Sequence, residues 1–384
     1  MSREKFNMRP TLRAVIALVV LFELFAAIVP NRSNAQKSPA ADLIRIAEES
    51  LEVQYHTLVH GDINGALSGR QLAASYRESR MKRFNEEKQT RDELKRRRSD
   101  FKDFTTKLIE PSVEVSGAYA TVLAKEQTEL IWASESLTTR LTDTHLFKFE
   151  NVQGRWTLVG DDIVPAVSSA SALLLNDSAF ELPLSEAWTR PMRLAHHGST
   201  SPPRKPLFNT FNGGTAAEYA RTYATSRNPD YKNFTTNDCT NFVSQSLFAG
   251  GWTLVGTVDR TNDANWFYAC PWISYSWGAA YNQWDFIRNY SNRAIELPVT
   301  ATDQYPDEAR LFEGDVVYCD WNPPGPDGRV DHATIVTSKF ASGDIALSYH
   351  TTDTLNISIP LLFDRIHAQN LHVQFRAFRI KDTY

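Results

Sequence analysis

The residue with the clearest potential for chemistry is Cys239, which lies in the first turn of a helix predicted within the segment 234–247. Capping residues precede it, and Gly250-Gly251 ends the apolar pattern that follows. The free N–H groups and the dipole of a helix N-terminus favour a thiolate, and the same N–H groups could stabilise an oxyanion. A cysteine taken alone is more often structural, so a nucleophile needs a second feature.

That second feature is His332, which opens a predicted strand after an earlier strand that begins at Gly314-Asp315. At the start of a strand its side chain can face a helix N-terminus that packs across the sheet. A thiol and an imidazole activate each other, because each stabilises the charged form of the other. The pair predicts Cys239 as a nucleophile and His332 as its general base.

An activated imidazole also needs a group that holds its orientation. His350 on the next predicted strand is the preferred candidate, and Asp353 just after it is the alternative. Asp238 and Trp277 are the predicted substrate contacts; Trp277 comes from an aromatic-rich stretch that could equally pack the core. No metal site and no cofactor are expected, because neither an HExxH motif nor a glycine-rich phosphate loop occurs.

The elements that position these residues fall into two parts. Residues 40–98 show helical spacing, and residues 104–159 alternate as strands, with a hairpin turn near Gln153-Gly154. His145 on one of these strands is interpreted as a core or rim residue. The pattern predicts an α+β domain over 36–165, a linker rich in Ser, Ala and Pro over 166–210, and a second α+β domain over 211–384.

The first 35 residues predict export from the cytoplasm. Basic residues precede an apolar run over 14–29, and small residues before position 36 suit cleavage, so 1–35 is predicted to be a signal peptide, with an uncleaved membrane anchor as the alternative. Three cysteines in such a compartment are an odd number. Cys270 and Cys319 are left to pair or to stay buried.

Length and composition agree with two globular domains. The chain has 384 residues, of which 42% are hydrophobic and 22% charged, and the net charge is −4. Either half can therefore bury a core without disulfides. The balance of charge argues against a nucleic-acid partner.

The segments around Cys239, Gly314, His332 and His350 together resemble the putative amidase domain family of exported proteins from Gram-positive bacteria, which is similar to the NlpC/P60 and CHAP cysteine peptidases. The resemblance covers about 211–380. It implies a papain-like α+β core in which the helix that carries the cysteine packs on an antiparallel sheet. It also implies hydrolysis of amide bonds, in cell-wall peptides. The N-terminal domain ends in a hairpin that resembles those of NTF2-like domains.

Three hypotheses follow for the function. The first is an extracytoplasmic cysteine hydrolase that cleaves amide bonds through an acyl-enzyme. The second is a non-catalytic module on the same fold that binds cell-wall or peptide ligands. The third is acyl transfer in the manner of transglutaminases, with an acidic residue such as Asp353. Rapid alkylation of Cys239 at neutral pH, lost in His332→Ala, distinguishes the first hypothesis from the second. Product analysis with an added amine distinguishes the first from the third.

Overall fold

The computed structural model describes residues 39–164, here called the N-terminal half, and residues 209–384, the C-terminal half, apart from 236, 257–258, 270–271, 300–303, 322–324 and 370. The predicted signal peptide or anchor over 1–35 lies outside the described residues. So do Cys270 and nearly all of the linker predicted over 166–210.

Helices and strands alternate in blocks along both halves. The helices are α1 (Pro39–His60), α2 (Ile63–Leu67), α3 (Ala74–Arg96), α4 (Gly213–Tyr223), α5 (Cys239–Ala249), α6 (Tyr275–Gly278), α7 (Ala280–Asp285) and α8 (Ile359–Ala368), with a π-helical turn at Phe286–Tyr290 and a 3₁₀ turn at Glu308–Arg310. The strands are β1 (Phe101–Ser116), β2 (Tyr119–Trp132), β3 (Thr138–Leu141), β4 (Thr144–Val152), β5 (Arg155–Val164), β6 (Tyr268–Ala269), β7 (Trp272–Ile273), β8 (Ala294–Leu297), β9 (Val316–Asp320), β10 (His332–Lys339), β11 (Ile345–Tyr349), β12 (Thr354–Ser358) and β13 (Gln374–Ile380).

The N-terminal half packs three helices on an antiparallel sheet. The apolar stripe of α1, which includes Leu43, Ile46 and Leu51, is buried in the core of this half. The hairpin between β4 and β5 turns at Gln153 and Gly154, which have φ angles of 54° and 81°. Two consecutive positive φ angles are typical of tight two-residue hairpins, so the predicted turn is confirmed.

Strands from both halves join in one sheet. The order is β5-β4-β2-β3-β12-β11-β10-β9-β13-β8, and β1 pairs with β2 at its side. The halves meet where Leu355 of β12 pairs with Arg140 of β3. Among the described residues, neighbouring strands of this sheet pair antiparallel. Helices on a large antiparallel sheet confirm the predicted α+β class.

The two faces of the C-terminal sheet carry different helices. Side chains of α4 and α5 share a core with alternate residues of β9 and β10, among them Tyr318 and Ala333. Leu361 and Leu362 of α8 share the opposite core with Cys319, which is fully buried and forms no disulfide. Within the two described halves, no helix is both long and apolar enough to span a membrane.

Two helix boundaries bear on the site. α5 begins at Cys239 and ends before Gly250, as the sequence predicts. The N-cap of α4 is Asn212, whose side chain accepts a hydrogen bond from the Thr215 N–H at 3.0 Å. Thr215 is also a capping residue type, but it lies inside the first turn of the helix. Asn212 lies directly before the first helical residue and therefore provides the better-placed acceptor.

Candidate functional site

Cys239 is the first residue of α5, and its side chain is buried. The Sγ atom lies 3.7 Å from the Thr240 hydroxyl. Burial raises the pKa of the thiol, while the backbone of Ala333 and the hydroxyls of Thr240 and Thr351 lower it in part. The thiol therefore lies between the helix N-terminus, the start of β10 and the turn after β11, and it is predominantly protonated at neutral pH.

His332 opens β10, as predicted, but its ring forms no hydrogen bond. Both ring nitrogens are buried without a partner. The ring stacks on Trp321 at 5.1 Å between centroids and meets the edge of Tyr349 at 4.8 Å. Burial lowers the pKa of His332 to about 3, so the imidazole is neutral at neutral pH. A neutral imidazole is the form that can accept a proton.

Cys239 and His332 lie near opposite faces of the sheet. Ala333 packs with α5, and side chains alternate along a strand. The ring of His332, one residue earlier, therefore points to the other face, where Tyr349 belongs to the core beneath α8. No hydrogen bond joins the thiol to this ring. The structure brings the two residues to the same strand end without assembling them as a bonded pair.

His350 does not orient His332. Its Nδ1 lies 2.6 Å from Oδ2 of Asp238, and its Nε2 lies 2.7 Å from the carbonyl oxygen of Tyr223. Both partners are acceptors, so the ring has no nitrogen left for another group. This corrects the expectation that His350 holds the general base, and the reason is again alternation: His350 lies on the α5 side of the sheet, where its ring packs on Phe242.

Asp238 and Trp277, the predicted substrate contacts, are core residues. The Asp238 carboxylate is 1% exposed and also accepts hydrogen bonds from the Phe234 N–H at 3.2 Å and the Asn241 amide at 2.8 Å. Trp277 is fully buried, and its Nε1–H donates to Asn241 at 2.8 Å. Neither can touch a ligand in this arrangement. The aromatic-rich stretch provides volume for the core beside α5.

Asp353, the alternative orienting group, is held by Arg227. The two Nη atoms of the guanidinium lie 3.0 and 2.8 Å from the two carboxylate oxygens. The Nε of the same guanidinium lies 3.3 Å from Asp238. Arg227 therefore links the carboxylate that precedes Cys239 to the turn that follows β11.

Thr351 is a neighbour of the thiol and also lines two cavities. Its φ of 92° is unusual for a β-branched residue, because the side chain then clashes with its own backbone. Its side chain lines a cavity of about 110 Å³ together with His332 and Tyr349. It also lines a cavity of about 660 Å³ that lies between the two halves. Strained residues of this kind cluster at functional sites.

A second group of buried charges lies in the N-terminal half and was not predicted. His145 lies between Glu126 and Asp161, at 2.9 and 2.8 Å. Burial lowers the pKa of His145, but the adjacent carboxylates outweigh it and raise that pKa to about 10. Burial raises the pKa of Glu126, but the hydrogen bond to His145 outweighs it and lowers that pKa to about 2. Arg365 of α8 pairs with Asp143. The sequence signal that could have revealed this group is Glu126, an acidic residue at an inward-facing position of β2.

Acidic and histidine atoms of Glu126, Asp143 and His145 lie within 4.8 Å of one another, which is close enough to hold a metal ion. Each of them already has a protein partner of opposite charge, since Arg365 and the protonated imidazole stand among the carboxylates. Metal ligands need a neutral imidazole, whereas the pKa of His145 is raised. These residues therefore fit a structural ion-pair network that ties α8 to the N-terminal half.

A comparison with known protein families finds a match in the C-terminal half of the chain. Residues 210–374 match the family described as "Putative amidase domain", which supports the predicted family for that segment. Uncharacterized protein YhbB of Bacillus subtilis (strain 168) is 36% identical over 124 residues, which cover 32% of this chain and 36% of the relative. Uncharacterized protein YjcM of the same strain is 35% identical over 152 residues, covering 38% and 32%.

The chain thus spans about a third of the length of these two relatives. No solved structure matches the chain significantly. The papain-like and NTF2-like resemblances accordingly stay predictions, while the amidase family match suggests a hydrolase that acts on amide bonds.

Proposed function

We propose that this protein is a cysteine hydrolase that cleaves amide bonds in peptides outside the cytoplasm, with Cys239 as nucleophile. The observation that carries the proposal is the place of Cys239 as the first residue of α5, where its thiol faces the Ala333 backbone. The family match of residues 210–374 supports amide hydrolysis in general. A helix N-terminus stabilises both a thiolate and the oxyanion that forms after attack.

In this mechanism the thiol proton passes to His332 as Sγ bonds to the amide carbon. The C–N bond then breaks, and the leaving amine takes the proton back from the imidazole. Water attacks the thioester, and the acid leaves with Cys239 restored as a thiol. The free N–H groups at the start of α5 and the Ala333 backbone are the groups suited to hold the oxyanion.

The resting arrangement requires one movement before this chemistry. The thiol and the imidazole are both buried and not bonded to each other, and Thr351 lies against the thiol while lining the cavity of His332. In the proposal, substrate binding displaces the turn over residues 351–353, and the side chain of His332, at the first position of β10, rotates from the α8 side of the sheet towards the thiol. Polar surroundings would then raise the basicity of His332 from its buried value.

The substrate class rests on the N-terminal segment and on the family resemblance. A signal peptide or anchor over 1–35 would take the chain across the cytoplasmic membrane, and cell-wall peptides are the amide substrates there. No cofactor and no nucleic acid enter the proposal.

The decisive experiment digests purified cell-wall fragments with the wild-type chain and with Cys239→Ala, and identifies the products by mass spectrometry. New amine and carboxyl ends are expected with the wild type and are absent with Cys239→Ala. Cys319→Ala is the matched control, since Cys319 is also buried but lies on the other face. Equal digestion by wild type and Cys239→Ala would refute the cysteine mechanism.

A non-catalytic binding module is the second candidate, and a specific observation favours it. Burial raises the pKa of the Cys239 thiol, and the ring nitrogens of His332 have no hydrogen-bond partner. Both features are expected of a site that does not turn over a substrate. The same digestion separates the two, because a binding module retains the fragments unchanged. Acyl transfer has less support, since Asp353 is occupied by Arg227. An amine added to the digestion would appear in the product if transfer occurred.

A further inference from the structure

The larger cavity beside Thr351 is built by both halves of the chain. Its volume is about 660 Å³, within the range of ligand sites. Strands β2 and β3 of the N-terminal half form one side. The turn over residues 351–353 and the segment around Arg227 form the other. The residues that match the amidase family therefore supply only part of this cavity.

The side of the cavity that the N-terminal half forms is here called the N-terminal wall. The alternation of side chains along β2 decides which of its residues line the cavity. Lys125, Gln127 and Glu129 face the cavity, whereas Glu126 and Thr128 between them are buried on the other side of the strand. Glu129 is the cross-strand neighbour of Arg140 on β3, and Arg140 Nε lies 2.7 Å from its carboxylate. Both side chains remain nearly half exposed.

This wall is attached to the turn beside the thiol. The Thr142 hydroxyl donates to the carbonyl oxygen of Asp353 at 3.0 Å, and the Thr139 hydroxyl donates to the carbonyl oxygen of Asn356 at 2.6 Å. The Leu355–Arg140 pairing lies between these two bonds. The distance from Arg140 to the turn at Thr351 is therefore set by hydrogen bonds between the halves.

The cavity presents charges of both signs. Its cations are Lys125, Arg140 and Arg227, and its anions are Glu129, Asp143 and Asp353. Exposed ion pairs such as Arg140–Glu129 contribute little to stability, so a charged ligand can exchange for one partner at small cost. Arginine suits a carboxylate in particular, because its planar fork can donate two parallel hydrogen bonds.

We propose that the wall formed by Lys125, Glu129 and Arg140 selects the substrate, and that Arg140 binds a carboxylate of a peptide that carries both acidic and amino groups. The proposal rests on the proposed function, since it assigns this cavity to the substrate of Cys239. It makes the N-terminal half a specificity element, and it places the recognised carboxylate on the β3 side of the scissile amide.

The test uses the full chain and an acidic tetrapeptide isolated from cell wall, in its free carboxylate form and with the carboxylates converted to carboxamides. Turnover is followed as kcat/KM, and binding to Cys239→Ala is measured by calorimetry. The wild type is expected to prefer the carboxylate form about tenfold, or about 1.4 kcal/mol. Arg140→Gln is expected to reduce that preference to about one.

Lys148→Gln is the matched control, because Lys148 is a half-exposed strand cation whose pair with Asp162 lies outside this cavity. It should keep the tenfold preference. If the wild type shows no preference, or Arg140→Gln keeps it, the wall does not select the substrate. Failure of the cysteine mechanism looks different, since Cys239→Ala would then cleave the peptide as the wild type does. The proposal is also overturned if the carboxylate form of the peptide does not bind to Cys239→Ala in the calorimeter.

Discussion

The Nδ1 atom of His350 lies 2.6 Å from Oδ2 of Asp238, and both side chains are 1% exposed. This contact joins the end of β11 to the residue directly before Cys239. The pair therefore fixes the start of α5 against the sheet, and positions the candidate nucleophile without touching it.

Loss of that contact should cost more than loss of an exposed one. Asp238→Asn removes a buried carboxylate that faces His350 and Arg227, so the free energy of unfolding should fall by about 3 kcal/mol. Asp353→Asn also breaks a pair with Arg227, but both groups are about a quarter exposed, so its cost should stay below about 1 kcal/mol. Urea unfolding at neutral pH measures both. Equal losses would show that the buried pair has no special role.

Glycine at position 351 tests the strain beside the thiol. Thr351 has a φ of 92°, which glycine adopts freely, so the gain from released strain should offset the entropy that glycine adds to the unfolded chain. Thr351→Gly should change the unfolding free energy by less than about 0.5 kcal/mol. It should also speed alkylation of Cys239 by iodoacetamide.

Thr352→Gly is the control for that change, since Thr352 lines the same cavities without a positive φ. It should lose about 1 kcal/mol of stability and leave the alkylation rate near that of the wild type. A large loss in Thr351→Gly, or unchanged alkylation, would contradict a strained turn that covers the thiol.

The ion-pair network of His145 predicts a pH dependence of stability. Its pKa is raised to about 10 in the folded chain, against about 6.5 unfolded, so the folded state binds an extra proton between these values. The stabilisation is complete below about pH 6.5 and is lost as the pH rises through about 10, with a slope of up to about 1.4 kcal/mol per pH unit.

Urea unfolding of the wild type and of His145→Gln across that range measures the slope. The variant should be less stable at pH 6 and should lack the decline. His60→Gln, at the exposed end of α1, should keep the wild-type slope. If the stability of His145→Gln declines with pH as steeply as that of the wild type, a group other than His145 is responsible for the pH dependence.

Trp277 is expected to matter for stability and not for ligand affinity. Trp277→Phe keeps most of the buried ring but removes the N–H that bonds to Asn241, so the unfolding free energy should fall by about 1 to 3 kcal/mol. The dissociation constant of the acidic tetrapeptide, measured on the Cys239→Ala background, should stay within twofold. A large loss of affinity would restore Trp277 to the groove wall.

Several features of the structure could be predicted from the sequence, because they depend on residues that are neighbours along the chain. The first helical residue at Cys239, the strand that opens with His332 and the turn at Gln153-Gly154 follow from capping residues, alternation and turn chemistry. The N-cap of α4 could not be assigned in this way, because Asn212 and Thr215 are both acceptable caps by residue type. Only the helix geometry distinguishes them.

The sequence by itself determined the α+β class, the order of the elements and the place of Cys239 at a helix N-terminus, because local periodicity and capping specify these. Tertiary structure alone decided that His332 faces away from α5, that His350 binds Asp238, and that β3 pairs with β12 to complete the cavity. These outcomes depend on strand register between segments far apart in the chain, and a shift of one residue moves a side chain to the other face of the sheet.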